Sequence, residues 1–247
     1  MNKEYIKFYS RHLNRDMEIF VYGHSGKPCL VFPAQNGRYF DFENFKMVDC
    51  AADFIESGKL QLFCIDSVDE ESWSDLNGPK RPRIERHEQW YNYVIEEVVP
   101  FIHEYNGTGS KIMTTGCSMG ASHAANFFFR RPDIFDTVIA LSGYYSSDMF
   151  FFDYVDDLVY ANSPLHYIEG MPNDHYYVDL YKQNKIIICT GQGAWEDDMI
   201  RSTTRLKELL QYKNVDNAWI DFWGHDVNHD WPWWLIQFPY FLKHVLG

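Results

Sequence analysis

The stretch Lys111-Ile-Met-Thr-Thr-Gly-Cys-Ser-Met-Gly-Ala-Ser-His-Ala-Ala-Asn-Phe-Phe-Phe-Arg130 decides how this chain is read. A short apolar run ends in Gly116-Cys117-Ser118-Met119-Gly120, and small residues then open a helix whose Phe127, Phe128 and Phe129 are expected to face a core. This is G-x-S-x-G between a strand and a helix, the setting in which a serine is held out on a strained turn. The positions two before and two after that serine must be nearly free of side chain, so that strand and helix can pass closely. Ser118 is then expected at the strand's carboxyl end, with the Met119 amide at a helix N-terminus and available to a developing oxyanion. The pattern alone is weak, because ordinary tight turns are rich in glycine and serine; the strand before it and the helix after it give it weight.

Outward from this turn the chain alternates between strand and helix patterns. Towards the N-terminus lie a long helical pattern over residues 83–105, with Trp90, Val94, Val98 and Phe101 on one side and a kink expected at Pro100, and an apolar strand at 60–65. Before them come one amphipathic helix over 43–57, stopped by Gly58, and a short apolar run at 29–32 of the kind buried on both faces of a parallel sheet. Residues 5–10 and 17–22 alternate as two strands of an antiparallel hairpin. Towards the C-terminus, strands are expected at 137–142, 185–190 and 218–222, with helices from 199 to 212 and from about Pro232 onward. Residues 144–182 are rich in Tyr, Phe and Asp, contain Asn162-Ser163-Pro164 and Met171-Pro172, and carry no clean strand, which reads as a small cap insertion. The expected fold class is α/β: a mostly parallel central sheet of about eight strands with helices on both faces, in a single domain over 1–247.

With 247 residues and 46% hydrophobic content, the chain can bury a sizeable core. A formal net charge of −13 and the absence of any Lys/Arg-rich run exclude an electrostatic grip on nucleic acid or on an anionic membrane, and fit a small uncharged or cationic ligand better. Met1-Asn-Lys-Glu-Tyr-Ile-Lys7 lacks the apolar stretch of a signal peptide, and no run reaches the length of a membrane span, so a cytoplasmic protein is expected. Five cysteines at 29, 50, 64, 117 and 189 form an odd count without paired spacing, and three lie inside strand-like runs; they read as reduced, buried thiols. The sequence leaves the number of chains open, a homo-oligomer included.

A serine nucleophile needs a base and an orienting acid, and in this architecture they follow in the order Ser, Asp/Glu, His after successive strands. Glu196, Asp197 and Asp198 lie just past the strand at 185–190, and His225 and His229 lie past the strand at 218–222. His123 is near the serine in sequence but five residues along its helix, on a different side, and reads as a packed or capping histidine. The loop Pro33-Ala-Gln-Asn-Gly37 follows an early central strand, where a second oxyanion amide is supplied; Gln35 is the first choice, Asn36 the next, and a plain turn weighs equally. Trp73 is balanced between a substrate wall and a buried anchor, and Tyr144 and Trp231 are further wall candidates. Cys117 beside the serine is expected to point into the packing. His225 and His229 at i and i+4 suggest a metal pair, but Gly224 and the Asn and Asp residues around them argue for a loop, where that spacing no longer aligns two ligands.

With these residues placed, the whole chain resembles the putative-esterase family of α/β-hydrolases, which also contains the esterase D/S-formylglutathione hydrolases and the mycolyltransferases. The resemblance is carried by the Gly116 to Gly120 turn, by Gly191-Gln-Gly193 and by His229-Asp-Trp231. It implies the α/β-hydrolase fold, a catalytic acid three or four residues past the second glycine, hence Glu196 or alternatively Asp197, and His229 rather than His225 as the base. Two departures stand out: Pro33-Ala34 where many relatives have His-Gly or Asp-Gly, and Cys117 where a histidine commonly precedes the nucleophile. The implied function is a serine carboxylic-ester hydrolase that forms an acyl-enzyme on a small ester or thioester, without cofactor or metal. The alternatives are an acyltransferase on the same scaffold and a ligand-binding homologue without turnover. Aromatic residues make up 18% of the chain, and a Tyr/Phe/Trp-rich cap would suit an aromatic or sugar-like group.

Overall fold

The apolar runs of the sequence become the strands of a single eight-stranded sheet in the order β1-β2-β4-β3-β5-β6-β7-β8, as seen in a computed structural model that describes residues 1–247. The strands are β1 Lys3–Ser10, β2 Arg15–Tyr22, β3 Lys27–Phe32, β4 Leu60–Ile65, β5 Ile112–Cys117, β6 Phe135–Leu141, β7 Lys185–Thr190 and β8 Trp219–Phe222. β1 and β2 form the antiparallel hairpin, β2 adds antiparallel to β4, and the other pairings are parallel. This is a mostly parallel sheet with helices on both faces, the α/β-hydrolase arrangement.

Period-two alternation divides the parallel strands between two cores. Leu30 and Phe32, Val138 and Ala140, and Ile186 and Ile188 enter one; Cys29 and Val31, Ile139 and Leu141, and Ile187 and Cys189 enter the other. The second face is covered by the short helices α1 Asp41–Asn44, α2 Met47–Cys50 and α3 Ala52–Glu56 and, later in the chain, by the last helix, Trp231–Leu246. The sequence pattern over 43–57 reads as one helix, but the chain breaks at Lys46, which takes φ 67°. Three short turns wrap Phe42, Met47, Val48 and Ile55 around the sheet where a straight helix would have left part of them outside.

The first face carries α4 Lys80–Tyr93, a π-helical turn at Val94–Val98, α5 Val99–Asn106 and α6 Met119–Arg130. Pro100 lies in the first turn of α5, and the irregularity expected at that residue sits just before it, over Val94–Val98. Proline gives no N–H to the carbonyl one turn back, so the ladder widens there. Phe127, Phe128 and Phe129 of α6 are all fully buried, and truncating one would cost about 3–5 kcal/mol.

Between β6 and β7 run α7 Asp148–Phe151, α8 Asp157–Ala161, α9 Pro164–Gly170 and α10 Tyr176–Gln183. They divide the stretch expected as a cap. α9 and α10 add Ile168, Val178 and Tyr181 to the first core, whereas α7 and α8 place Phe151 and Val159 in a small separate cluster with Trp73, Ile84 and Met119. α11 Asp197–Tyr212 completes the first face and α12 Trp231–Leu246 the second. No helix is long and apolar enough to cross a membrane.

Candidate active site

Ser118 stands between β5 and α6 with φ 57° and ψ −124°, a backbone conformation that a non-glycine residue takes only under constraint. The constraint is steric. A Cβ on Gly116 would lie 2.4 Å from Gly120, and one on Gly120 would lie 2.3 Å from the Phe32 carbonyl oxygen, so strand and helix meet through hydrogen atoms alone. The serine hydroxyl is thereby presented above the carboxyl end of the sheet, where ligands of open α/β sheets bind.

His229 reaches it from the loop after β8, with Nε2 2.8 Å from Ser118 Oγ. On the other side of the ring, Nδ1 lies 3.5 Å from Glu196 Oε2, an ion-pair separation longer than a formed hydrogen bond. Glu196 is fully buried, and its carboxylate accepts from Ser142 Oγ at 2.5 Å and Thr190 Oγ1 at 2.8 Å. Trp234 closes the set. Its indole N–H donates to Ser142 Oγ at 3.1 Å, and its ring meets the His229 imidazole edge to face at 5.0 Å.

The local chain explains why Glu196 points inward among three adjacent carboxylates. Trp195 takes φ 67° and is 83% exposed, so the backbone turns outward at 195 and inward at 196. Asp197 and Asp198 then fall in the first turn of α11, where carboxylates favour the helix dipole and Asp197 is exposed. The acid-bearing and histidine-bearing loops are tied together: the Gly193 amide donates to the Val227 carbonyl at 2.8 Å, His229 to the Ala194 carbonyl at 3.0 Å, and Ala194 to Asn228 Oδ1 at 2.8 Å. His225 lies exposed on the same loop.

A cleft of about 200 Å³ opens over Ser118, lined by Gln35, Met119, Ser122, Ser142, Tyr144, Met149, Phe150, Met199 and His229. Three thioethers, a phenyl and a phenol form its apolar walls, and no Lys or Arg faces it. The Tyr144 hydroxyl donates to Asp148 Oδ1 at 2.8 Å; burial, and then this carboxylate, push the phenol above its ordinary range and keep it neutral. Met119 opens α6, where the first N–H groups have no partner within the helix. Between the two residues considered for the second amide, Asn36 has its N–H engaged by Asp69 Oδ2 at 3.3 Å, and Gln35 faces the cleft.

Of the wall candidates, Tyr144 lines this cleft. Trp73 is 5% exposed and packs against Phe150, Phe151 and His87, an anchor beneath the covering segment. Trp231 stacks on Phe45 at 4.0 Å outside the cleft. Cys117 is buried, and burial pushes its thiol well above the ordinary range, so no thiolate competes with the serine. Sequence reasoning missed Ser142 and Thr190 as hydrogen-bond partners of Glu196 and Met149, Phe150 and Met199 as walls of the cleft. Position carried a signal for the first two: Thr190 ends β7 and Ser142 follows the last residue of β6, both at the carboxyl edge of the sheet.

A sheet of this order, with a serine on the β5–α6 turn, a carboxylate past β7 and a histidine past β8, defines an α/β-hydrolase. Comparison with known proteins narrows the class. The family model described as putative esterase matches residues 10–245, and the chain belongs to that family; it is a serine esterase, a carboxylic-ester hydrolase. Among solved structures it is similar to a ferulic acid esterase (16% identity, TM-score 0.76, covering 99% of this chain and 97% of that one). It is also similar to an S-formylglutathione hydrolase from Agrobacterium tumefaciens (14%, 0.73, 99% and 95%). A third likeness is to MPT51 (FbpC1) of Mycobacterium tuberculosis (13%, 0.72, 100% and 98%). These likenesses show the fold. No curated protein matches the sequence.

Proposed function

We propose that the chain hydrolyses small, uncharged carboxylic esters or thioesters through an acyl-enzyme on Ser118. The observation that carries this reading is the 2.8 Å contact between Ser118 Oγ and His229 Nε2 on a strained strand-to-helix turn, with buried Glu196 behind the ring. His229 takes the hydroxyl proton as Ser118 Oγ bonds to the acyl carbon, and the carbonyl oxygen becomes an oxyanion facing the amides of Met119 and Gln35. Glu196 holds the imidazole tautomer and, as the ring gains charge, draws Nδ1–H into a full hydrogen bond. The imidazolium then gives its proton to the departing alcohol or thiol as the oxyanion collapses. Water enters, loses a proton to His229, and releases the acid with Ser118 restored. Each donor removed from an oxyanion site costs about 10²–10³ in kcat.

The substrate class follows from the walls. Met119, Met149, Met199, Phe150 and Tyr144 favour an apolar or aromatic acyl group, and the missing cation disfavours an anionic one. The test is fluorophosphonate labelling mapped to a single peptide, with turnover of p-nitrophenyl acetate measured in parallel. Labelling confined to Ser118, with both signals lost in Ser118→Ala, supports the reading. A folded wild-type protein that neither labels nor turns over the ester overturns it.

A further inference from the structure

His123 has no part in the chemistry above, yet its position on α6 is costly. Its ring is 2% exposed and Nε2 donates to Oδ1 of Asp69 at 2.9 Å, with Asp69 itself 1% exposed. Sealing a carboxylate from water is unfavourable unless its oxygens are met by donors. The other oxygen, Oδ2, accepts the backbone N–H of Asn36 at 3.3 Å. One carboxylate thus bridges the nucleophile helix to the loop that follows β3.

That loop needs the tie. Asn36 sits at φ 58°, in the left-handed region, which persists only where the surroundings hold it. The next bonds converge on the same segment: Gln35 Nε2 donates to Ser74 Oγ at 2.9 Å, and the Ser74 amide donates to the Asp69 carbonyl at 2.8 Å. Gly120 supplies a second point of attachment, since it packs directly against the carbonyls of Phe32 and Pro33. Gly120 and His123 are three residues apart and share a face of α6, the face that meets this loop. Met119, the first oxyanion donor, is the first residue of that helix.

We propose that Asp69 and His123 are positioning residues for the oxyanion site. The His123–Asp69–Asn36 strut fixes the Gln35 amide relative to the Met119 amide, so the helix that carries one donor also sets the place of the other. This rests on the assignment of Met119 and Gln35 proposed above. Of the two loop amides considered, the capture of Asn36 by Asp69 leaves that of Gln35 for substrate. His123 and Asp69 act through the loop and touch no reacting atom.

The test compares His123→Leu, which removes the donor, with His123→Gln, whose amide can still donate to Asp69, and with Asp69→Asn, which keeps the shape and loses the charge. Rates are normalised to active sites titrated with fluorophosphonate, and inhibition by an aryl trifluoromethyl ketone is measured beside kcat and KM, because its serine adduct places an oxyanion at the same donors. In His123→Leu, kcat per titrated site is expected to fall about 10–100-fold with KM within about twofold, as for a partly lost oxyanion donor. The ketone inhibition constant should rise by a similar factor, and His123→Gln should stay within about threefold of wild type. Asp69→Asn should fall between them and decides the matter if His123→Leu does not fold. Unchanged kcat and ketone affinity per site in a folded His123→Leu or Asp69→Asn overturns the strut. A wild-type protein that is itself unlabelled and insensitive to the ketone overturns the underlying reading instead.

Discussion

The Ser142 hydroxyl donates to Oε1 of Glu196 at 2.5 Å while it accepts the indole N–H of Trp234 at 3.1 Å. Ser142 takes φ 58° to do so, and its own amide donates to the Cys189 carbonyl of the neighbouring strand at 2.7 Å. A residue in a strained conformation, anchored to the sheet and bonded at its tip, fixes the rotamer of the carboxylate that faces His229. Ser142→Ala removes that bond and leaves the Trp234 N–H unpaired, while Thr190 still holds Oε2. We expect a folded protein in which kcat falls about tenfold, the equivalent of about 1.4 kcal/mol, with KM little changed. Steady-state kinetics on a p-nitrophenyl ester read this directly, and a kcat equal to wild type would remove Ser142 from the site's machinery.

The Gly191-Gln-Gly193 turn has a steric origin. A Cβ on Gly191 would fall 2.0 Å from the Val227 carbonyl oxygen, so the loop bearing the acid can lie on the loop bearing the histidine only through glycine. Gly191→Ala should push residues 224–229 away. A displacement of about 1 Å at His229 is enough for a loss on the order of 100-fold in kcat/KM. The thermal midpoint should fall too, because the bonds from Gly193, Ala194 and His229 that join the loops are strained together. Activity and midpoint measured on the same preparation check both; full activity would show that the loops tolerate separation.

How far the sequence could be read follows from how local each feature is. The turn that carries Ser118 was legible because its signal lies within twenty residues and comes from sterics that only glycine satisfies. The inner parallel strands β3 to β7 were legible as short apolar runs, since both of their faces are buried. The choice among Glu196, Asp197 and Asp198 is different: three adjacent carboxylates share one spacing, and the positive φ of Trp195 decides which turns inward. Trp73 and Trp231 could not be placed because their partners, Phe150 and Phe45, are remote in sequence. The same holds for His123 and Asp69, which lie 54 residues apart. The 43–57 pattern misled because its periodicity records which residues are buried and not that the chain turns at Lys46.

His87 is wholly buried, with its ring stacked over His123 at 5.4 Å. Burial first, and then the neighbouring His123 ring and the Arg130 guanidinium, hold its pKa well below the ordinary histidine value. The folded state therefore keeps His87 neutral, while the unfolded chain takes up a proton as pH falls below about 6.5. More protons bound in the unfolded state means that stability rises with pH: this contribution is present above that value and is lost as pH falls towards the depressed folded pKa. The loss is at most about 1.4 kcal/mol per pH unit for this one group. Urea unfolding between pH 7 and 5 should show a shallower loss in His87→Leu than in wild type. Parallel curves for the two proteins would show that His87 does not carry the dependence.

Phe150 stands between the cleft over Ser118 and a small cavity of about 10 Å³ beside it, lined by Trp73, His123, Asn126 and Asn162. Met119, Ser122 and Tyr144 border both spaces, but Met119 is placed by the Ser118 turn and Tyr144 by its bond to Asp148, whereas the Phe150 side chain only packs, edge on, against Trp73 at 5.4 Å. Its backbone is held independently: buried Arg83 donates to the Phe150 carbonyl at 3.1 Å, and Lys80 donates to that of Phe151 at 2.9 Å. Phe150→Ala should therefore open the cleft into the space beside it without moving α7. Burying two further methylenes of an acyl chain is worth about 1.6 kcal/mol, so the kcat/KM ratio for octanoate over acetate esters should rise by about tenfold or more relative to wild type. The wild-type cleft, closed by the phenyl ring, should prefer the shorter chain. An acyl-length profile that does not change on truncation would mean that the chain leaves the cleft by another side, past Met149 and Met199, and those residues would then set the specificity.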